Sequence, residues 1–260
     1  MTRSFPPIVL FCDFGLPYTG QMKGRMAAEW GADAAWFPVV DLMHDVPAHD
    51  IRAGSILLAA HAGDFPEGCV FVCVVDPGVG TQSRKPGVVL AGGRWFVGPL
   101  NGLFEHVLRR WPEGARAWEI SWRPPSLSAS FHGRDLFSPI AARLARDGGA
   151  GLDGDLREVN ARQAGNGDFP DDLAEIVYVD GFGNLMTGLR WATLGDGFTL
   201  QARGRALARA RTFADVVEGS LLVYENAVGL AEISANRGNA RKILEIGVGS
   251  GVKIIPETRD

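Results

Sequence analysis

The sequence predicts an α/β protein with a largely parallel sheet, followed by a small all-β domain of barrel or sandwich type. Through residue 146, short apolar runs alternate with stretches of helical spacing, which is typical of βαβ units. A polar segment rich in Gly, Asp and Asn at 147–172 interrupts this pattern and indicates a linker. Beyond it, only short alternating stretches separated by turn residues remain, which favours strands.

Apolar periodicity assigns each N-terminal element in order. Continuous apolar runs predict strands that are covered on both faces. Strands are expected at 8–12, 36–42 and 69–75, with two more short strands within 86–98. Helices are expected at 20–30, 50–62, 101–111 and 135–146. Cys12 and Cys73 lie in the apolar runs, so we interpret them as buried structural thiols.

The C-terminal part contains shorter predicted strands. They are expected at 174–180, 185–191, 198–203, 220–225, 230–234 and 252–255. The predicted division is an N-terminal catalytic domain at 1–160, a linker at 161–173 and a C-terminal domain at 174–260.

Composition limits the function classes. The chain has a net charge of −4 with both signs interspersed and no basic stripe, so a small ligand or a protein partner is favoured over nucleic acid. No secretion signal and no apolar stretch near ~18 residues is visible. Three cysteines without paired spacing favour a reducing compartment. We therefore expect a cytoplasmic protein that contacts no membrane.

Two carboxylates follow predicted strands at their C-terminal ends. Asp13 closes the first strand, and Asp76 follows the strand at 69–75 and leads into Pro77-Gly78-Val79-Gly80. In open α/β sheets, ligands bind outside the carboxyl ends of the strands. Each Asp taken alone is more typical of a helix cap or a turn, but two at equivalent strand ends indicate a site.

His132 is the candidate proton carrier, because histidine titrates near neutral pH. It precedes Arg134, a possible ion-pair partner, and Asp135, a possible helix cap. A metal site is an open alternative with oxygen and nitrogen ligands. Its candidate ligands are Asp13, His44, Asp45, Asp76 and His132. No spacing such as H-x-x-x-H supports it, and neither metal nor cofactor is expected.

A set of segments spread over nearly the whole chain resembles the S-adenosyl-L-methionine hydrolase (hydroxide adenosyltransferase) family, which is related to fluorinases and chlorinases. The combination of VVDPGVG, FHGRD and FGN in this order is its most specific part. The matching segments are CDFG (12–15), MKG (22–24), HDVPAHDIRAG (44–54), VVDPGVG (74–80), VGPLNGL (97–103), FHGRDLFSPIAARLA (131–145), VDGFGNLMTGL (179–189) and EISANRGNA (232–240).

This resemblance implies a Rossmann-like N-terminal domain with a mostly parallel sheet and a C-terminal β-barrel. It also implies a homotrimer whose active sites lie between subunits. The implied reaction is attack of water or hydroxide on ribose C5′ of S-adenosyl-L-methionine, which yields adenosine and L-methionine. The alternatives are a non-catalytic adenosyl-ligand binder, a halide-using relative and a metal-dependent hydrolase.

The resemblance also implies roles for individual residues. Asp76, Arg84 and His132 correspond to a catalytic Asp-Arg-His set, although the Arg stands one residue later than usual and Lys85 is an alternative. Asp13 corresponds to the carboxylate that holds the ribose hydroxyls. The remaining substrate-binding candidates are Phe131, Gly133, Asn101, Asp180, Phe182, Asn184, Asn236 and Arg237. From the local pattern alone, the loop at 180–184 is equally typical of a hairpin.

The nucleophile is predicted to be water rather than halide. In the halogenases, the Asp and Val of the DPGVG segment are replaced by Tyr and Thr, whereas this chain has Asp76 and Val79. A carboxylate beside the nucleophile repels an anion in a poorly hydrated pocket.

Overall fold

A computed structural model of the chain describes residues 5–32, 38–81, 83–165 and 167–256. The chain forms two compact units, residues 1–169 and 170–260. The division falls within the 161–173 segment that the sequence assigns to a linker. Each unit is described by itself below.

The N-terminal unit is built from seven strands and four α-helices among its described residues. The strands are β1 (Ile8–Cys12), β2 (Val39–Met43), β3 (Val70–Val74), β4 (Pro86–Ala91), β5 (Arg94–Pro99), β6 (Arg116–Ile120) and β7 (Leu156–Val159). The helices are α1 (Tyr18–Trp30), α2 (Ile51–Ala62), α3 (Glu105–Arg110) and α4 (Ser138–Asp147).

These strands form one sheet in the order β2-β1-β3-β5-β4-β6-β7. Strands β2, β1, β3 and β5 are parallel, whereas β4 runs antiparallel to both β5 and β6, and β7 antiparallel to β6. Five strands therefore share one direction and two oppose it, which confirms the predicted α/β fold with a mostly parallel sheet.

The core of this unit explains why its central strands are continuously apolar. Ile8 and Leu10 of β1 pack in one cluster with Met22 of α1 and Ile140 of α4. Val9, which points to the opposite face of the sheet, is fully buried as well. Both faces are thus covered, as the unbroken apolar runs predict.

The structure adds two strands to the sequence expectations and corrects the bounds of two helices. Strands β6 (RAWEI) and β7 (LREV) lie outside the predicted strands, because charged residues interrupt their apolar ones without a regular period, and Arg116 pairs with Glu158 on an exposed face. The helix predicted at 101–111 begins only at Glu105, because the Asn101 side chain accepts a hydrogen bond from the Leu103 amide and forms a turn. The helix predicted at 135–146 is α4, preceded by a π-helical turn at Gly133–Phe137. Of the strand predicted at 36–42, residues 36 and 37 lie outside the described residues.

The C-terminal unit forms a ring of short strands. Its elements are β8 (Leu173–Val179), β9 (Leu185–Arg190), α5 (Trp191–Leu194), β10 (Phe198–Ala202), β11 (Arg205–Ala206), β12 (Ala208–Arg209), β13 (Leu221–Glu225), β14 (Leu230–Ala235), α6 (Ala240–Leu244) and β15 (Lys253–Pro256). They form two sheets, β11-β10-β15 and β12-β13-β14-β9-β8.

Both sides of these two sheets are joined by backbone hydrogen bonds. On one side, Val252 donates to Ala174 O at 2.9 Å, just before β15 begins. On the other side, Leu207, the residue between β11 and β12, donates to the carbonyl oxygen of Leu200 in β10 at 2.9 Å. The ladder therefore closes into a barrel, which removes free strand edges and confirms the predicted barrel.

Among the residues that the structure describes, no helix has both the length and the apolar character required to cross a membrane.

Candidate active site

Asp13 and Asp76 lie side by side at the carboxyl edge of the parallel sheet. Strands β1 and β3 are neighbours, with Cys12 paired to Val74. The Asp13 amide continues this ladder and donates to Val74 O at 3.3 Å. Parallel pairing in this register brings the residues that follow the two strands to one edge, where ligands bind in such sheets.

A buried ion pair joins Asp76 to Arg84. Arg84 Nη2 lies 2.6 Å from Asp76 Oδ2, and the two side chains are only 4% and 3% exposed. Neither carboxylate oxygen of Asp76 has a hydrogen bond of regular geometry within the described residues. Burial raises the pKa of Asp76 above its usual value, and the guanidinium of Arg84 opposes that rise. The carboxylate is thus a comparatively basic group with capacity to accept further hydrogen bonds.

The spacing after Gly80 left Lys85 as an alternative to Arg84. Lys85 Nζ instead lies 3.5 Å from Glu119 Oε2, with 57% of its side chain exposed. Arg84 is therefore the cation that reaches Asp76 despite the longer loop.

His132 is held by the same arginine. Arg84 Nη2 donates to His132 Nδ1 at 2.7 Å, because a guanidinium carries donors only. The proton of the neutral imidazole is therefore on Nε2. Burial and the positive charges of Arg84 and Arg123 lower the pKa of His132. Arg84 thus bridges a carboxylate and a neutral imidazole.

A cavity of about 630 Å³ opens over this group. Its lining residues are Asp13, Phe14, Tyr18, Gln21, Ala48, His49, Val74, Asp76, Val79, Ser128, Ser130, Phe131, His132, Gly133 and Arg134. Phe14, Tyr18 and Phe131 meet edge to face, with ring centroids 5.6–5.9 Å apart. The cavity combines an aromatic wall with two carboxylates and two imidazoles, the pattern of a site for a small organic ligand.

Two further predicted site residues have defined positions in this unit. A Cβ on Gly133 would lie 3.2 Å from the Phe131 ring, so glycine keeps the cavity wall close to the aromatic side chain. Asn101 does not line the cavity and donates from Nδ2 to Val75 O at 3.0 Å. The structure thus places Asn101 against the backbone that carries Asp76.

The Asp180–Asn184 loop of the C-terminal unit joins β8 to β9. Asp180 Oδ1 accepts from the amides of Phe182 and Asn184 at 2.9 and 2.8 Å, and Asn184 Nδ2 donates to Asp180 Oδ2 at 2.8 Å. These bonds make a rigid turn and leave the Phe182 side chain exposed, with a relative accessibility of 78%. The hairpin interpretation of this loop is correct, and the turn presents an aromatic ring.

Asn236 and Arg237 follow β14 in the same unit. Asn236 Nδ2 donates to Val216 O at 2.8 Å. Arg237 has a left-handed backbone with φ 51° and pairs with Glu218 at 3.2 Å on the surface. The Asn236 side chain thus closes a turn, whereas the Arg237 side chain is exposed to solvent.

Several cavity residues were not singled out from sequence. His49, Ser128 and Ser130 line the cavity, and none of the three is among the residues that the sequence proposed for the site. For His49, the one sequence signal is its place inside the HDVPAHDIRAG segment.

Arg134, expected as an ion-pair residue, forms a two-bond pair with Asp135 at 2.7 and 2.9 Å. Within the described ranges, no group of three or more His, Cys, Asp or Glu could hold a metal ion.

We expect Gly80→Ala to lower the free energy of unfolding. Gly80 has φ +82°, and an added Cβ would lie 2.7 Å from the Ala129 carbonyl oxygen beside the cavity. The backbone conformation alone costs about 1–3 kcal/mol for an L-residue. Urea unfolding measures the change. Gly24→Ala in α1, where nothing lies within 4 Å, is the control and should gain about 0.5–1 kcal/mol. Equal effects of the two variants would contradict the prediction.

His132 gives a second prediction, on pH. Its folded pKa is lowered, so the unfolded chain binds more protons between that value and the unfolded pKa of about 6.5. Stability should therefore fall as the pH drops through this window. Unfolding in urea at pH 7.5 and 5.5 should show a larger acid loss for wild type than for His132→Gln, which keeps an acceptor for Arg84. Parallel losses in the two proteins would refute it.

Comparison with known proteins identifies the family. Residues 8–151 match the SAM hydroxide adenosyltransferase N-terminal domain, and residues 174–253 match the SAM hydroxide adenosyltransferase C-terminal domain. The (R)-S-adenosyl-L-methionine hydrolase of Thermus thermophilus is 35% identical, with 96% of this chain and 99% of that protein covered. The hydrolase of the same name from Salinispora arenicola is 34% identical, with 96% and 98% covered.

A more distant relative and a solved structure are also similar to this chain over most of its length. A fluorinase of Actinopolyspora mzabensis is 24% identical, with 83% of this chain and 86% of that protein covered. A crystal structure of an uncharacterized conserved protein from Thermotoga maritima aligns with a TM-score of 0.77 at 28% identity, covering 95% of this chain and 99% of that one. Both domains and the predicted resemblance are thereby accounted for: the chain belongs to the SAM hydroxide adenosyltransferase family.

Proposed function

We propose that this protein is an enzyme that hydrolyses S-adenosyl-L-methionine to adenosine and L-methionine. The observation that carries the proposal is the buried Asp76–Arg84–His132 group beneath a cavity of about 630 Å³. Membership of the family and the names of the relatives at 34–35% identity support it.

The reaction is a displacement at ribose C5′. A water oxygen forms the new bond to C5′ while the C5′–S bond breaks, and its electron pair goes to sulfur. The sulfonium leaves as the neutral thioether of methionine, so no general acid is needed. The proton of the attacking water passes to the Asp76 carboxylate and then to solvent. Such proton removal is worth about 10²- to 10⁴-fold in rate, and alignment of the water with the C5′–S bond adds to it.

Arg84 and His132 serve this step in different ways. Arg84 fixes the Asp76 carboxylate and the His132 ring in one arrangement. His132, protonated on Nε2, is a donor that orients the water oxygen, and Asp76 is the base. Asp76 rather than His132 is assigned as the base because a neutral imidazole has a single acceptor nitrogen. In His132 that nitrogen, Nδ1, already accepts from Arg84.

The nucleophile in this proposal is water rather than halide. Asp76 and Val79 both line the cavity. A carboxylate attracts the hydrogens of water and repels chloride or fluoride, most strongly where water is scarce. Incubation with halide should therefore yield adenosine and no 5′-halo-5′-deoxyadenosine.

The binding roles and the assembly are part of the proposal. Asp13 accepts hydrogen bonds from the ribose hydroxyls, beside the wall formed by Phe131 and Gly133. The residues proposed to contact the methionine and adenine groups come from the C-terminal domain of a neighbouring subunit, and they are Asp180, Phe182, Asn184, Asn236 and Arg237. Asn101 acts indirectly, through the Val75 carbonyl.

We further propose a cytoplasmic homotrimer with active sites between subunits that requires no metal or other cofactor. Three free, buried cysteines support a reducing compartment. Light scattering measures the assembly, and chelator treatment before assay tests the independence from metal.

Product analysis tests the activity. Purified protein is incubated with S-adenosyl-L-methionine whose two sulfonium epimers are resolved by chromatography. Adenosine and methionine should appear in equal amounts, from the (R) epimer first, as the names of the relatives suggest. Ligand binding without adenosine at high protein concentration would instead establish a non-catalytic adenosyl-ligand binder.

A further inference from the structure

His49 has a backbone conformation that residues other than glycine seldom adopt, although histidine tolerates it better than most. Its φ is 64°, in the left-handed region, where non-glycine residues are uncommon and often mark functional sites. The turn around it is fixed on one side by the Asp50 amide, which donates to Pro47 O at 3.1 Å. On the other side, the Asp50 side chain caps α2 by accepting from the Ala53 amide at 2.9 Å.

This conformation aims the peptide group of His49 at Asp13. The His49 amide donates to Asp13 Oδ2 at 2.9 Å. The imidazole contributes less, because its Nδ1 is 4.0 Å from the same oxygen and 79% of the side chain is exposed. The backbone of His49, and not its ring, therefore determines how one carboxylate oxygen of Asp13 is held.

We infer that His49 is a positioning residue that orients the Asp13 carboxylate for a vicinal diol, an inference that rests on the proposed adenosyl substrate. A carboxylate holds two adjacent hydroxyls well only when its plane is fixed, since hydrogen bonds weaken steeply with misalignment. The His49 amide, by holding Asp13 Oδ2 at 2.9 Å, restricts rotation of that plane at the cavity wall. Removing the left-handed turn frees the carboxylate to rotate and weakens its selection for the diol.

Four substitutions at His49 separate backbone from side chain. His49→Gly and His49→Asn remove the imidazole and tolerate positive φ. His49→Val and the milder His49→Ala also remove it but disfavour positive φ, most of all the β-branched valine. Calorimetry on the full-length protein measures the affinities for adenosine and 2′-deoxyadenosine, and thermal unfolding identifies the variants that are folded.

Wild type should prefer adenosine to 2′-deoxyadenosine, and His49→Gly and His49→Asn should keep that preference within about threefold. His49→Val should lose about tenfold or more of it, the effect of one charge-assisted hydrogen bond. If His49→Val does not fold, His49→Ala provides the comparison.

A preference that survives in the folded Val or Ala variant, or is lost equally in the Gly variant, overturns the inference alone. A wild type that binds adenosine without hydrolysing S-adenosyl-L-methionine overturns the proposed function alone.

Discussion

Asp76→Asn should lower kcat for S-adenosyl-L-methionine hydrolysis by about 10²- to 10⁴-fold, the contribution of a general base. The amide keeps the shape of the carboxylate and an acceptor for Arg84, whose Nη2 lies 2.6 Å away, but it cannot take the proton of water. KM should change much less, because the attacking water and not the substrate loses its partner. Initial rates over a range of substrate concentrations separate the two constants.

The control is Asp153→Asn, which removes an exposed carboxylate of the same domain and should leave kcat unchanged. Urea unfolding verifies that both variants are folded. A kcat of Asp76→Asn within threefold of wild type would remove Asp76 from the mechanism. It would shift the role of base to another group that lines the cavity.

Arg84→Met should lower the free energy of unfolding by about 3–5 kcal/mol, the usual result of removing one member of a buried ion pair. Methionine replaces the stem of Arg84, but it leaves the Asp76 carboxylate, only 3% exposed, without its cation. Burial already raises the pKa of Asp76, with Arg84 as the main opposing influence. The pKa should therefore rise further in the variant, and kcat/KM should increase with pH over a range shifted to higher pH.

The double variant Asp76→Asn/Arg84→Met distinguishes charge from packing. It should recover much of the lost stability, since no unpaired charge remains, while activity stays low. Arg116→Met is the surface control, because its pair with Glu158 is exposed on both sides and such pairs contribute little. A single variant as stable as wild type would show that water compensates the Asp76 charge.

The parts of the fold that the sequence predicted are those with a strong burial pattern. β1 and β3 are apolar on both faces, so their runs are unbroken and unambiguous. β6 and β7 escaped prediction because their partly exposed residues carry charges that pair across strands. Their strand character depends on a neighbouring edge, which no local pattern reveals.

The site residues, too, divide into those that follow from a regular pattern and those that depend on loop geometry. Asp13 and Asp76 could be predicted because each follows a strand, and the topology of a parallel sheet brings the ends of neighbouring strands together. Arg84 was uncertain because loop geometry decides whether an arginine four residues after a glycine turns inward. The sequence does not single out His49, because histidine tolerates a left-handed backbone but adopts it only where the surrounding turn requires it.

Arg84 lies behind Asp76 and His132 and does not line the cavity. Buried charges are screened by dissolved ions far less than exposed ones. Changes in cellular ionic strength should therefore leave the basicity of Asp76 nearly constant, and small anions that enter the cavity cannot compete for its counter-charge. Salt should act instead on the encounter with a cationic substrate, and the rate of the bond-breaking step should depend little on ionic strength.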